Sequence, residues 1–137
     1  MNAPDSASPS TPKAMYWIGW VLSVLPCLLL IFSAYMKLNP TPEVIEEMNK
    51  NGFPMQLAIP LGITELACTV LYLIPRTAVL GAILLAAYLG GAVSSHVLKL
   101  QGISFWFIPV LLGVFLWLGL WLRDARLRAL LPFTSKA

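Results

Sequence analysis

Residues 55–98 read MQLAIPLGITELACTVLYLI, then PR, then TAVLGAILLAAYLGGAVSSHVL, so that two apolar runs are held apart only by Pro75 and Arg76. Met55 to Ile74 and Thr77 to Leu98 are each about 20 residues, and at about 1.5 Å per residue a helix of that length spans roughly 30 Å of hydrocarbon. So short a break admits only an antiparallel return, which makes the two helices neighbours. Outward from this pair, Tyr16 to Met36 and Ile103 to Leu122 are two further runs of the same kind, the latter separated from Leu98 by little more than Lys99 to Gly102. The predicted fold is all-α, a membrane-spanning up-and-down four-helix bundle.

Composition agrees, since 58% of the 137 residues are hydrophobic and 11% charged, with a mean hydropathy of +0.79. No soluble domain of this length needs so much apolar surface. One membrane domain is expected over residues 15–132, between a tail at 1–14 and a short tail at 133–137. The amino-terminal tail is rich in Ser, Pro and Ala without periodicity, so it is expected to be disordered. The first apolar run is longer than the roughly 7 to 15 residues of a signal-peptide core and follows no strongly basic segment, so it is predicted to be retained as a span.

Asn39 to Pro54 is the one long connection. Within it Pro42-Glu43-Val44-Ile45-Glu46-Glu47-Met48 places a proline and acidic residues in a first turn, which starts a helix. Gly52 and Pro54 end it. Val44, Ile45 and Met48 share one side, so this short helix is expected to lie at the membrane interface or to cap the bundle.

An even number of spans puts both termini and the Arg76 turn on one side. That side carries Lys13, Arg76, Arg123, Arg126, Arg128 and Lys136, against Lys37, Lys50 and Lys99 on the other. The positive-inside rule then places both termini in the cytoplasm, and in a bacterium this is an inner-membrane protein whose linker faces the periplasm. Arg76, Arg123, Arg126 and Arg128 are read as interface anchors, and the Arg-Leu alternation after the last span suits anionic head groups of the lipid bilayer. A basic segment tied so closely to a span argues against nucleic acid. Trp117 and Trp121, with Tyr16, Trp17 and Trp20, form an aromatic belt at the same end.

At about 100° per residue the second span divides into two faces. Ala58, Leu61, Gly62, Glu65, Cys68, Thr69 and Tyr72 share one; Ile59, Ile63, Leu66, Val70, Leu73 and Ile74 cover the other. The cost of a lipid-facing carboxylate turns the first face inward. On the third span Ala78, Ala82, Ala86, Gly90 and Ser94 recur every four residues with Gly91 beside them, a small-residue stripe expected to pack against other helices. The first span presents Gly19, Ser23, Cys27, Ser33 and Lys37 on roughly one side.

Glu65 lies ten residues before Pro75, about 15 Å deep and so near the midplane. An ionisable side chain at that depth is a candidate functional site, handling a proton, a cation or a ligand, although a hydrogen-bonded structural lock is the alternative. Lys37 ends the first span, and its stem allows it to bend inward towards Glu65 or to stay among the head groups. His96 falls near the outer interface, too far to pair with Glu65 unless Pro60 bends the second span. Cys27 and Cys68 read as buried apolar residues, and with a single histidine the chain offers no zinc, iron–sulfur or bis-histidine haem ligand set.

The order and spacing of Ser33 to Leu38, Gly62-Ile63-Thr64-Glu65-Leu66, Leu73-Ile74-Pro75-Arg76-Thr77, Tyr88-Leu89-Gly90-Gly91-Ala92, His96 and Trp117-Leu118-Gly119 resemble the DoxX-like membrane proteins over roughly Trp17 to Pro132. The resemblance implies a four-helix inner-membrane protein, with broader relatives that include a membrane subunit of thiosulfate:quinone oxidoreductases. For this chain it implies a quinone-linked role in which quinone, or an oxidoreductase partner, holds the redox chemistry. Glu65 would then be the hydrogen-bonding or proton-transferring group, Lys37 and His96 would stand near the outer mouth, and Tyr72 and Tyr88 would line the cavity. A small homo-oligomeric transporter with Glu65 as its proton or cation site, and a non-catalytic scaffold subunit, are the alternatives. The residues leave open whether the chain is part of an enzyme.

Overall fold

A computed structural model describes residues 10–133. The tails expected to flank the membrane domain fall mostly on residues 1–9 and 134–137, outside the described residues. The elements are α1 (Lys13–Leu38), α2 (Pro42–Lys50), a 3₁₀ turn at Met55–Leu57, α3 (Ala58–Leu73), α4 (Ala78–Leu98), α5 (Ile103–Arg123) and α6 (Ala125–Leu130). Among the described residues there is no strand. Four stretches, Lys13–Leu38, Met55–Leu73, Ala78–Leu98 and Ile103–Arg123, are long and apolar enough to cross a membrane, as expected.

The helix boundaries follow from local chemistry. α1 stops where Asn39 precedes Pro40, a position that disfavours helical backbone. α2 starts with Pro42 in its first turn and Thr41 as its cap, the Thr41 hydroxyl accepting a hydrogen bond from the Val44 amide at 3.4 Å. It ends at Asn51 and Gly52, the latter at φ +66°, a conformation natural only for glycine. Pro60, which the sequence offered as a bend in the second span, instead stands in the first turn of α3. A missing amide hydrogen there leaves no hydrogen bond unmade. The helix interiors that do contain proline are those of α1, at Pro26, and α5, at Pro109.

α1 packs on α3 and α5, and α4 packs on the same two, which closes a four-helix square in up-and-down order. The predicted inner face of α3 is the one observed, with Ala58, Gly62, Glu65, Cys68, Thr69 and Tyr72 buried and Ile59, Ile63, Val70 and Ile74 exposed. Leu30, Tyr72, Leu85, Leu116 and Leu120 are the large side chains of the core. Outward-facing Val21, Leu25, Leu28, Phe32, Ile83 and Val114 present the apolar surface that lipid tails solvate.

Glycines set how near the helices come. A Cβ at Gly119 would stand 2.6 Å from the Ser23 hydroxyl and 2.8 Å from the Gly19 carbonyl, and one at Gly81 would fall onto the backbone of Tyr72. These are the small-residue contacts on which membrane helices associate. The α4 stripe is only half used in this way. Ala78, Gly81 and Ala82 are buried, whereas Ala86, Gly90, Gly91 and Ser94 are exposed, and a Cβ at Gly90 or Gly91 would meet nothing within 4 Å. The expected packing by Ala86, Gly90, Gly91 and Ser94 is therefore corrected: buried Leu85 and Leu89 turn the upper part of that stripe away from the bundle.

Candidate functional site

The polar centre of the bundle joins α1 to α3. Lys37, in the last turn of α1, bends inward, and its Nζ lies 2.8 Å from Glu65 Oε2. Ser33, one turn earlier on the same face, accepts a hydrogen bond from Lys37 Nζ at 2.5 Å and donates to Glu65 Oε2 at 3.4 Å. The Glu65 side chain is 3% exposed and that of Lys37 15%, so the carboxylate is sealed and only the amine reaches towards the end of the bundle where α1 stops. Of the two directions open to Lys37, the inward one is taken, because a bare mid-span carboxylate costs more than drawing one flexible stem in.

Local sequence explains the approach. Gly62 lies one turn before Glu65, and a Cβ there would come within 3.1 Å of the Leu38 side chain and 3.2 Å of the Ala34 carbonyl. Fully buried Ala34 completes the close crossing of α1 and α3. Two small residues thus bring the helices near enough for Lys37, Ser33 and Glu65 to meet. Half-buried Tyr88 lies on α4, which packs against α3. The set offers an ammonium and a hydroxyl as donors around one carboxylate acceptor.

The sequence model of the DoxX-like family matches residues 21–119, a stretch that contains every member of this polar set. The chain belongs to the DoxX-like family. No curated protein and no solved structure matches it.

Not every residue expected near the site of this DoxX-like protein joins it. His96 is in the last turn of α4, away from Glu65 as its place in the sequence predicts, where its Nδ1 pairs with the Gln101 side chain and its ring tilts over Phe105. It does not join Lys37 and Glu65. Tyr72 shares the buried face of α3 with Glu65 but lies two turns towards the opposite end, roughly 10 Å along the axis. Its hydroxyl donates to the Leu116 carbonyl at 2.6 Å and lies 2.8 Å from Ser23 Oγ. The expectation that Tyr72 lines a cavity with Tyr88 is corrected, since these bonds lock it between α1 and α5.

Two of the four arginines expected as head-group anchors also differ. Arg123 is 9% exposed, with its guanidinium 4.1 Å from the ring centre of Trp20 and 5.0 Å from that of Tyr72. Its Nη2 donates to the Tyr72 carbonyl at 3.3 Å. Arg128 donates to the Trp121 and Leu122 carbonyls, at 3.1 and 2.7 Å, capping the end of α5, and to Thr11 Oγ1 at 2.9 Å. The Thr11 bond holds the start of the described chain beside its end. Arg76 and Arg126 are exposed. The inward turn of Arg123 was missed, although Leu116, Gly119, Leu120 and Arg123 follow one another at helical spacing and continue a buried face past the end of the apolar run.

Proposed function

We propose that this chain is the membrane subunit of a quinone-linked oxidoreductase complex, with Lys37, Ser33 and Glu65 as its polar site and Tyr88 beside it. The observation that carries the reading is the Lys37–Glu65 ion pair, bridged by Ser33, with its carboxylate sealed at mid-span between α1 and α3. A quinone, when bound, carries two electrons and two protons through the bilayer. The chain's residues fit a carbonyl ligand, because Lys37 has three N–H donors and spends two on Ser33 and Glu65. Its third can orient a carbonyl oxygen, while Glu65 holds or passes a proton at its carboxylate. The electron donor belongs to a partner protein, for which the exposed Ala86, Gly90, Gly91 and Ser94 strip of α4 offers close helix packing.

A carrier of metal or organic cations is the weaker reading, because the Lys37 ammonium already occupies the cation position at Glu65. The proposed orientation puts both termini in the cytoplasm of a bacterial inner membrane, on the strength of the basic residues at that end. Mass spectrometry of the chain extracted from its native membrane, beside Glu65→Gln, tests the function. A co-purifying quinone that the variant loses supports it, and equal retention by both would overturn the assignment of the site.

A further inference from the structure

The end of the bundle where α1 begins and α5 ends holds a second polar feature, unrelated to the Lys37–Glu65 pair. Two adjoining cavities, of about 260 and 410 Å³, lie between the α3–α4 turn and the α5–α6 elbow and share Pro75, Asp124 and Arg126. Arg123 lines the first and Arg76 the second. Either is several times the roughly 30 Å³ that one water occupies.

Three independent features give this cleft one sign. First, Arg123 is nine-tenths buried, and its Nε has no hydrogen-bond partner. A buried unpaired donor on a charged group is costly, and the guanidinium fork is built to bind an oxyanion. Second, α4 begins here without a side-chain cap, since the Thr77 hydroxyl turns back to the Leu71 carbonyl at 2.7 Å. Ala78 and Val79, in the first turn of that 21-residue helix, line the two cavities, so free amides and the positive helix end face the same space. Third, Arg76, Arg123 and Arg126 are set against one carboxylate, Asp124, whose Oδ1 already accepts from the Arg126 and Leu127 amides at 2.9 and 3.3 Å. Among the described residues none of these arginines has a salt-bridge partner.

We infer that this cleft is a phosphate-binding site, with Arg123 as its buried anchor, the α4 amino terminus as its floor and Arg76 and Arg126 as its rim. The phosphate comes either from the head group of an anionic phospholipid or from a soluble phosphate ester at the same membrane face. Neither source involves the Glu65 site.

The test uses the full chain in detergent micelles. Native mass spectrometry would follow binding of phosphatidylglycerol against phosphatidylcholine, and calorimetry would follow inorganic phosphate and glycerol 3-phosphate. Arg123 also packs in the core, so the exposed rim variants Arg76→Ala and Arg126→Ala decide. One phosphatidylglycerol per chain, weakened roughly tenfold by each rim variant as loss of one charge-assisted hydrogen bond requires, supports the site and names a lipid as its source. The same arginine dependence for the soluble phosphates alone supports it with a soluble source. Equal binding of both lipids together with no soluble phosphate binding would overturn it, as would rim variants that bind like the wild type.

Discussion

The Lys37–Glu65 pair makes an asymmetric prediction about which half of it is harder to lose. At the observed 2.8 Å, with an effective dielectric constant of about 20, Coulomb's law gives an attraction of about 6 kcal/mol. Most of that offsets the desolvation of the two charges, so the intact pair adds little net stability, whereas removing one partner costs about 3–5 kcal/mol. The two halves are not equivalent. Lys37 sits in the last turn of α1 and keeps 15% of its side chain exposed, so without Glu65 it can swing to the head groups. Glu65 is mid-span and 3% exposed, so without Lys37 its charge is stranded. Lys37→Met should therefore destabilise by the full 3–5 kcal/mol or so, and Glu65→Gln, whose amide still reaches Ser33, by about 1–2 kcal/mol. The double variant should return to within about 1 kcal/mol of the wild type, because no charge is then left uncompensated. Equilibrium unfolding in mixed micelles, followed by the fluorescence of the five tryptophans, measures all four corners of the cycle. Additive single effects, or a Lys37→Met change smaller than that of Glu65→Gln, would refute the reasoning.

Three other outcomes are expected. Gly119→Ala should cost about 1–3 kcal/mol by overpacking against Ser23 and Gly19, while Gly91→Ala, with open space around its Cβ, should be neutral or gain up to about 1 kcal/mol in helix propensity; unfolding midpoints distinguish the two sites. Tyr72→Phe should lose about 1–2 kcal/mol, since it leaves the buried Leu116 carbonyl short of a partner, and a variant as stable as the wild type would show those bonds to be idle. Glu43, at the start of α2, has its carboxyl held below the usual range by its own backbone amide and then by the Thr41 hydroxyl. Its contribution is therefore present above the ordinary carboxylate range and lost as pH falls through the lowered value, which amide exchange in α2 should register as faster opening at acid pH.

Much of the architecture was legible because the bilayer imposes it. Span length, a short α3–α4 turn around Pro75 and Arg76 and the inward face of α3 each follow from a period or a length; all three are observed, the turn widened to the four residues 74–77. What was not legible depends on how helices rotate against one another. The periodicity of α4 marks a small-residue stripe, but it cannot say that Leu85 and Leu89 turn inward and leave Gly90 and Gly91 outside. The direction taken by Lys37 was open for the same reason, since it depends on Gly62 and Ala34 drawing α1 and α3 together. Tyr72 was misplaced because two residues on one face of a helix can serve opposite ends of it.

Arg123 shows why counting charges at a membrane interface is too coarse. Arg123, Arg126 and Arg128 lie within six residues, yet one is sandwiched between Trp20 and Tyr72, one is exposed, and one caps α5 and reaches Thr11. All three count equally towards orientation, because that rule depends only on which side a charge stays. They differ in what each can bind. Arg128 spends its donors on three oxygens of the chain, and Arg126 is free but solvated. Arg123 alone has aromatic faces on its guanidinium and a donor with no partner. A bundle that needed only an interfacial charge could have kept Arg123 in the head groups at less cost. The Trp20 and Tyr72 rings and the Tyr72 carbonyl offset part of that cost, and an oxyanion in the cleft that Arg123 lines supplies the opposite charge that none of them carries.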